Sequence, residues 1–409
     1  MSRVSGWFLG ARLGAQQVDL GVSDGFVTAI EEAGSAARPG AVLGSGGRIT
    51  PHLAEPHVHL DATQIGARVL NVSGTLQEGI ANWSAVRDEL TAQDVTARAR
   101  QTVSWYVSWG CTRIRTHVDT GSLVAVDALL RLRESLAHEG VTLQVAAFPQ
   151  EGILRAPGRQ QAWEEAARRG CDAVGAIPHF ERTTAEGARS VALAFQLADR
   201  LDVQVDLHCD ETDDPGSRHL EVACTEALAR GWADRVIAGH CTAMHSYPDP
   251  IAARAIEQVV ASGVQVVCNP LDNVVLQGRH DGYPRRRGLT RMDELLAAGA
   301  TVGIGHDSVV DPWYRLGDAN LVRAAAMLVH VGQLTGEAEM EAVLSLLWGS
   351  NHRCFGGAPT LAVGQPADLL WWPVGDAAEI LRIAPRPAVY ANGRRIGTPP
   401  PRGSGADAP

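Results

Sequence analysis

Two histidines separated by one residue, His57 and His59, stand in the run Glu-Pro-His-Val-His-Leu-Asp (55–61), at the end of an apolar segment. An extended strand alternates its side chains with a period of two, so both imidazoles face the same way. Two imidazoles on one side can hold a metal ion, and histidine is the commonest ligand of catalytic zinc or iron. In isolation the pair also reads as two ordinary polar strand positions. Its weight comes from residues further along the chain. His208 is followed three residues later by Glu211 in His-Cys-Asp-Glu (208–211), His240 closes the run Val236–His240, and Asp307 follows in Gly-His-Asp-Ser (305–308). Imidazoles and a carboxylate gathered at one point suit one divalent ion, Zn2+ or Fe2+. A further carboxyl beside them suits proton transfer.

For these residues to meet, the elements that carry them must converge. Apolar, β-branched runs recur eight times: Arg48–Leu60, Thr112–Asp119, Thr142–Gln150, Ala173–Phe180, Val203–Glu211, Val236–His240, Val264–Pro270 and Thr301–Asp307. Between them lie segments with helical spacing: Asp94–Trp109, Ser122–Glu139, Gln160–Arg169, Glu186–Leu201, Arg218–Arg230, Ile251–Ser262 and Thr290–Ala298. Strand and helix alternating eight times predicts a (β/α)8 barrel, an α/β fold whose reactive groups cluster at the C-terminal ends of the strands. The polar residues of the eight runs fall there. The barrel domain is expected over 48–356. The ends of the chain read differently. Val18–Val22, Phe26–Ile30, Asp368–Trp372 and Ala388–Ile396 are short strands, with hairpin signals at Asp24-Gly25 and Asn392-Gly393. Segments 1–47 and 357–396 are expected to pair into a small β-sandwich, and 397–409, rich in Pro, Gly and Ala, to form a flexible tail.

Composition narrows the function classes. With 409 residues, 45% hydrophobic and 20% charged, the chain has ample material for a large core. A net charge of −10 and a single short basic triplet, Arg285–Arg287, argue against a nucleic-acid or anionic-membrane partner. Seven cysteines are scattered singly with no C-x-x-C pair, which argues against a disulfide framework and for a reducing cytoplasm. No basic stretch leads into a long apolar run and no apolar segment reaches membrane length, so neither a secretory signal nor a transmembrane helix is expected. The chain has no lysine; all 36 basic residues are arginine. Schiff-base chemistry, a P-loop lysine and pyridoxal phosphate on lysine are thereby excluded.

The chain resembles the amidohydrolase superfamily, and within it the bacterial barrel-type cytosine deaminases. The resemblance runs through Glu-Pro-His-Val-His-Leu-Asp (55–61), Ser-Gly-Thr-Leu (73–76), Phe-Pro-Gln-Glu-Gly (148–152), Ile-Pro-His-Phe-Glu (177–181), His-Cys-Asp-Glu (208–211), His-Cys-Thr-Ala-Met-His-Ser (240–246), Asn-Pro-Leu (269–271), Leu-Gln-Gly-Arg (276–279) and Gly-His-Asp-Ser-Val-Val-Asp-Pro-Trp-Tyr (305–314). It implies one metal ion held by His57, His59, His208 and Asp307. The missing lysine agrees, because a carboxylated lysine bridging two ions is impossible here. It implies water attack on an amidine-like ring carbon, with Asp307 as base, His240 positioning the nucleophile and Glu211 carrying protons to the ring nitrogen and the leaving amine. Gln150 is assigned to the O2/N1 edge of a pyrimidine, Trp313 to the ring face, and the Leu76 backbone to the exocyclic amine. The resemblance also implies a free nucleobase as substrate and a homo-oligomer.

One position departs from the pattern. Cytosine-specific members carry two aspartates after the histidine of the eighth strand, and here the pair is Asp307-Ser308. Serine opens space on the C5 side of a pyrimidine, where a methyl group is worth about 1 kcal/mol of burial. The expected substrates are therefore 5-methylcytosine and cytosine. The alternatives are another amino-heterocycle, such as isoguanine or an aminotriazine, and a non-catalytic scaffold. The full complement of candidate ligands speaks against the scaffold.

Overall fold

The structure, a computed structural model, describes residues 3–34, 38–357 and 360–396. The chain begins with β1 (Gly6–Leu13), β2 (Gln16–Ser23), β3 (Phe26–Glu32), β4 (Val42–Ser45) and β5 (Arg48–Thr50). Eight parallel strands follow: β6 (Leu53–Val58), β7 (Cys111–Asp119), β8 (Thr142–Phe148), β9 (Ala173–Ala176), β10 (Gln204–Cys209), β11 (Val236–His240), β12 (Gln265–Cys268) and β13 (Val302–Ile304). They lie side by side in chain order. A parallel bridge between Val58 and Asp307 joins the last to the first, so the sheet closes into the expected barrel. β14 (Leu369–Trp372), β15 (Ala388–Ala391) and β16 (Arg394–Ile396) return to the N-terminal strands.

Helices shield the barrel strands from solvent, which is why strands such as Ala173–Ala176 are buried at every position. All seven expected helices are present. Thr184–Leu201 shows how they form: Thr183 caps it by accepting the Glu186 N–H at 3.1 Å, and Val191, Ala194, Phe195 and Ala198 bury one face at three- and four-residue spacing. Further helices at Leu76–Val86, Pro270–Leu276, Leu321–Gly332 and Glu337–Leu346 complete the shell.

Several strands stop short of the expected runs, and proline explains most of the stops. Pro149, Pro178 and Pro270 follow β8, β9 and β12 and have no N–H to donate to a neighbouring strand. The polar residues at those run ends therefore stand on loops just past the sheet. The run Arg48–Leu60 divides at Pro51. Arg48–Thr50 pairs with β1 and β14 in the terminal sheet, and the barrel strand starts at Leu53, a correction to the expected domain boundary at residue 48.

The terminal segments form one eight-stranded sheet that branches at β1, which bonds to β2, β4 and β5. Phe8 and Tyr390, three strands apart in sheet order, meet edge-on at 5.4 Å, so the sheet curls over its own core as a sandwich does. Both hairpin signals are turns with two successive positive φ values, 46° and 79° at Asp24-Gly25 and 51° and 66° at Asn392-Gly393. The helix Ala377–Ile383 lies in the C-terminal segment but packs Ile380 and Leu381 into the barrel's core. The expected tail, 397–409, lies outside the described residues.

Gly47 and Gly14 separate two costs of replacing glycine. Both have positive φ, 72° and 59°, but a Cβ on Gly47 would collide with the Trp372 carbonyl while one on Gly14 meets open space. Gly14→Ala should cost about 1 kcal/mol, the backbone penalty alone, and Gly47→Ala markedly more. Equal urea midpoints for the two variants would contradict this account.

Candidate active site

The strand ends place five candidate residues around one point. His57 lies on β6 and His59 one residue past it, His208 on β10, His240 at the end of β11, and Asp307 on the closing bridge. The His208 Nε2 atom is 3.2 Å from His57 Nε2 and 3.0 Å from His59 Nε2. Asp307 Oδ1 is 3.6 Å from His59 Nε2 and 3.8 Å from His57 Nε2. Ligands about 2.1 Å from a tetrahedral ion stand about 3.4 Å apart, so this spacing fits one ion between them. The buried imidazole nitrogens, aimed at one another, also favour a cation in their midst. All four imidazoles are held in the neutral, ligating form because burial pushes their pKa well below 6.5. The cluster is able to hold a metal ion.

Neighbouring groups fix these rings. Phe148 stacks on His208 with centroids 3.8 Å apart. His240 Nδ1 meets Asn273 Nδ2 at 3.0 Å and stands 3.5 Å from Glu211 Oε1. His240 and Asp307 both have φ near 68°, a conformation rare for residues with a side chain. The Glu55 carboxylate accepts N–H groups from His57 at 2.8 Å and from His306 at 3.0 Å, tying the first strand to the eighth.

Every remaining candidate lines one pocket: Leu76, Gln150, Glu211, Ser308 and Trp313, together with His59, His208, His240 and Asp307. His57 lies beneath it, buried. Burial raises the Glu211 carboxyl to about 8, so it carries a proton at neutral pH. The Trp313 ring centroid is 5.8 Å from that of His59.

Sequence reasoning missed four features. Glu55 stands within the first motif, but its role needs the eighth strand beside it. His117, on β7, packs 4.1 Å from His57 and meets Asp206 at 3.1 Å, beneath the cluster. Asn273, on the helix after β12, holds His240. Asp272 and Leu276 on the same helix line the pocket. Asp272 also alters the expectation for position 308: the corner beside Ser308 keeps a carboxylate, which accepts the Ser308 N–H at 3.4 Å.

A closed parallel barrel with a histidine–aspartate cluster at its C-terminal mouth defines a hydrolase of the metal-dependent barrel class. The chain belongs to the amidohydrolase family, whose model matches residues 45–396. It is similar to the crystal structure of 5-methylcytosine deaminase from Klebsiella pneumoniae liganded with phosphonocytosine, at 35% identity and a TM-score of 0.89, covering 95% of this chain and 97% of that one. Pterin deaminase from Rhizobium rhizogenes is 27% identical over 90% of this chain and 85% of its own length. The fold is shared with N-isopropylammelide isopropylaminohydrolase from Burkholderia multivorans, at 24% identity and a TM-score of 0.80, covering 95% of this chain and 97% of that one. Among the described residues no helix is long and apolar enough to cross a membrane.

Elemental analysis should find about one divalent ion per chain and a large loss of it in His208→Ala; full retention would remove His208 from the ligand set. Without metal, stability should depend on pH in two windows. The imidazoles bind protons near 6.5 only when unfolded, so their contribution is lost as pH falls below 6.5. Glu55 and Glu211, raised from 4.5 to about 8, act oppositely and lose stability as pH rises toward 8. The two effects oppose each other between 4.5 and 6.5. The metal-free melting temperature should therefore fall from pH 6.5 to 8 and again below 4.5; a monotonic rise with pH would refute this assignment.

Proposed function

We propose that the enzyme hydrolytically deaminates a free aminopyrimidine base, converting 5-methylcytosine to thymine and cytosine to uracil with release of ammonia. The observation that carries the reading is one pocket holding Gln150, Glu211 and Ser308 around the histidine–aspartate cluster. The likeness to the Klebsiella 5-methylcytosine deaminase supports it.

We assign His57, His59, His208 and Asp307 to the metal, Zn2+ or Fe2+. When bound, such an ion acidifies water and polarises the reacting centre. The chain's own groups divide the remaining work. Asp307 takes a proton from the attacking water, and His240, oriented by Asn273, holds the nucleophile against C4. Glu211, protonated at neutral pH, delivers its proton to the ring nitrogen N3 as the C4–O bond forms. It then takes up the proton left on the C4 hydroxyl and passes it to the amine, because an amine leaves poorly unless protonated, and the proton held by Asp307 afterwards restores Glu211. The C4–N bond breaks, ammonia departs and a ring carbonyl remains, so one water is consumed for each base. Gln150 offers a donor and an acceptor to the O2/N1 edge, and Trp313 and Leu76 line the ring's surroundings.

A second reading, deamination of a fused-ring amino-heterocycle, draws support from the likeness to pterin deaminase. A turnover panel of pyrimidines, isoguanine, pterin and aminotriazines on metal-quantified enzyme, with ammonia as readout, separates the two. The leading reading requires cytosine or 5-methylcytosine to give the highest kcat/KM. Glu211→Gln should lower kcat by about 10²–10⁴ with metal content unchanged. Ser308→Asp should shift preference toward cytosine by roughly fourfold, the worth of one buried methyl. An unchanged ratio would separate position 308 from specificity.

A further inference from the structure

The mechanism above leaves one pocket carboxylate unused. Asp272 lies on the helix Pro270–Leu276, just past β12 at the barrel mouth. It is fully buried and lines the pocket. Its Oδ2 atom accepts the Ser308 N–H at 3.4 Å, and its Oδ1 atom has no hydrogen-bond partner among the described residues. A buried polar atom without a partner is costly and uncommon in a folded protein. A ligand in the pocket relieves that cost.

The barrel's order indicates which part of a ligand reaches it. β8 and β12 are four strands apart in an eight-stranded ring, so Gln150 and Asp272 approach the pocket from opposite sides. Glu211, past β10, approaches from between them. On the function proposed above, Gln150 takes the O2/N1 edge and Glu211 faces N3. Continuing round the ring, the C4–C5 edge turns toward Asp272 and Ser308. A 5-methyl group there fills space but leaves Oδ1 unpaired. A substituent with a hydroxyl, which can both donate and accept, occupies the same space and pairs with it.

We propose that Asp272 contacts the substrate at its C5 edge and selects for a hydrogen-bonding group there, such as a 5-hydroxymethyl. This rests on the pyrimidine reading only for the orientation of the ring. The Asp272–Ser308 pair thus works as a specificity determinant: serine makes room and the aspartate sets the chemistry of what enters.

The test compares kcat/KM for cytosine, 5-methylcytosine and 5-hydroxymethylcytosine in wild-type, Asp272→Val and Asp272→Asn enzyme of known metal content. Wild-type enzyme should prefer the hydroxymethyl base to the methyl base, and Asp272→Val should lower that ratio by about tenfold, the scale of one net hydrogen bond. Asp272→Asn, which keeps hydrogen-bonding capacity and the side-chain volume, should retain the preference and guards against a folding defect. A hydroxymethyl/methyl ratio that is the same in Asp272→Val and wild type overturns the proposal, as does a wild-type preference for methyl. Failure of the pyrimidine reading itself looks different: no cytosine is turned over by any form. The contact is then read on isoguanine, whose fused second ring carries an N–H, against an aminotriazine, which has no second ring. A shift of that ratio in Asp272→Val supports the contact, and a static ratio overturns it.

Discussion

The seam between the first and eighth barrel strands is the constraint on which the site depends. Asp307 donates its N–H to the His57 carbonyl at 2.9 Å, and the His59 N–H returns to the Asp307 carbonyl at 3.3 Å. Those two bonds close the barrel and, in the same act, bring two histidines and a carboxylate from residues about 250 apart to one point. Glu55 reinforces the seam from below through the His57 and His306 N–H groups. Fold closure and site assembly are one event here, so a change that loosens the seam disturbs both.

The price of the site is a barrel interior full of ionisable groups. Beneath the histidines, Arg115 and His117 meet Asp206 with all three side chains fully buried. Charges so deep persist only when paired and hydrogen-bonded, and the Arg115 guanidinium meets Gln144 as well as Asp206. Toward the mouth, Glu211, Asp272, Asp307 and Asp311 lie close enough for each carboxylate to make ionisation of Asp307 harder. Burial and this crowding both favour the protonated form of these carboxyls, which a cation held among them would reverse.

The barrel was legible in the sequence because its strands, buried on both faces, are continuous apolar runs separated by helical spacing. The helix Glu186–Leu201 and the hairpin at Asp24-Gly25 follow from local rules alone. The strand ends were less legible. The runs through Gln150 and Phe180 look unbroken by hydrophobicity, yet Pro149 and Pro178 end the ladder and set the last residues on loops. Arg48–Leu60 reads as one run, yet it serves two sheets, because its first three residues find partners in β1 and β14 from opposite ends of the chain.

The sequence alone determined the reagents. The histidine pair, His208 with Glu211, His240 and Asp307 are recognisable by type, spacing and position at run ends, and the absence of lysine is visible without any structure. Only the tertiary structure decided which other residues join them. Glu55, His117, Asn273 and Asp272 carry no local pattern that separates them from ordinary core polar residues. Their roles arise from contacts across the barrel, between residues 33 to 251 positions apart. A strand's own periodicity fixes which side its residues face. What they face is set by the neighbours that barrel closure supplies.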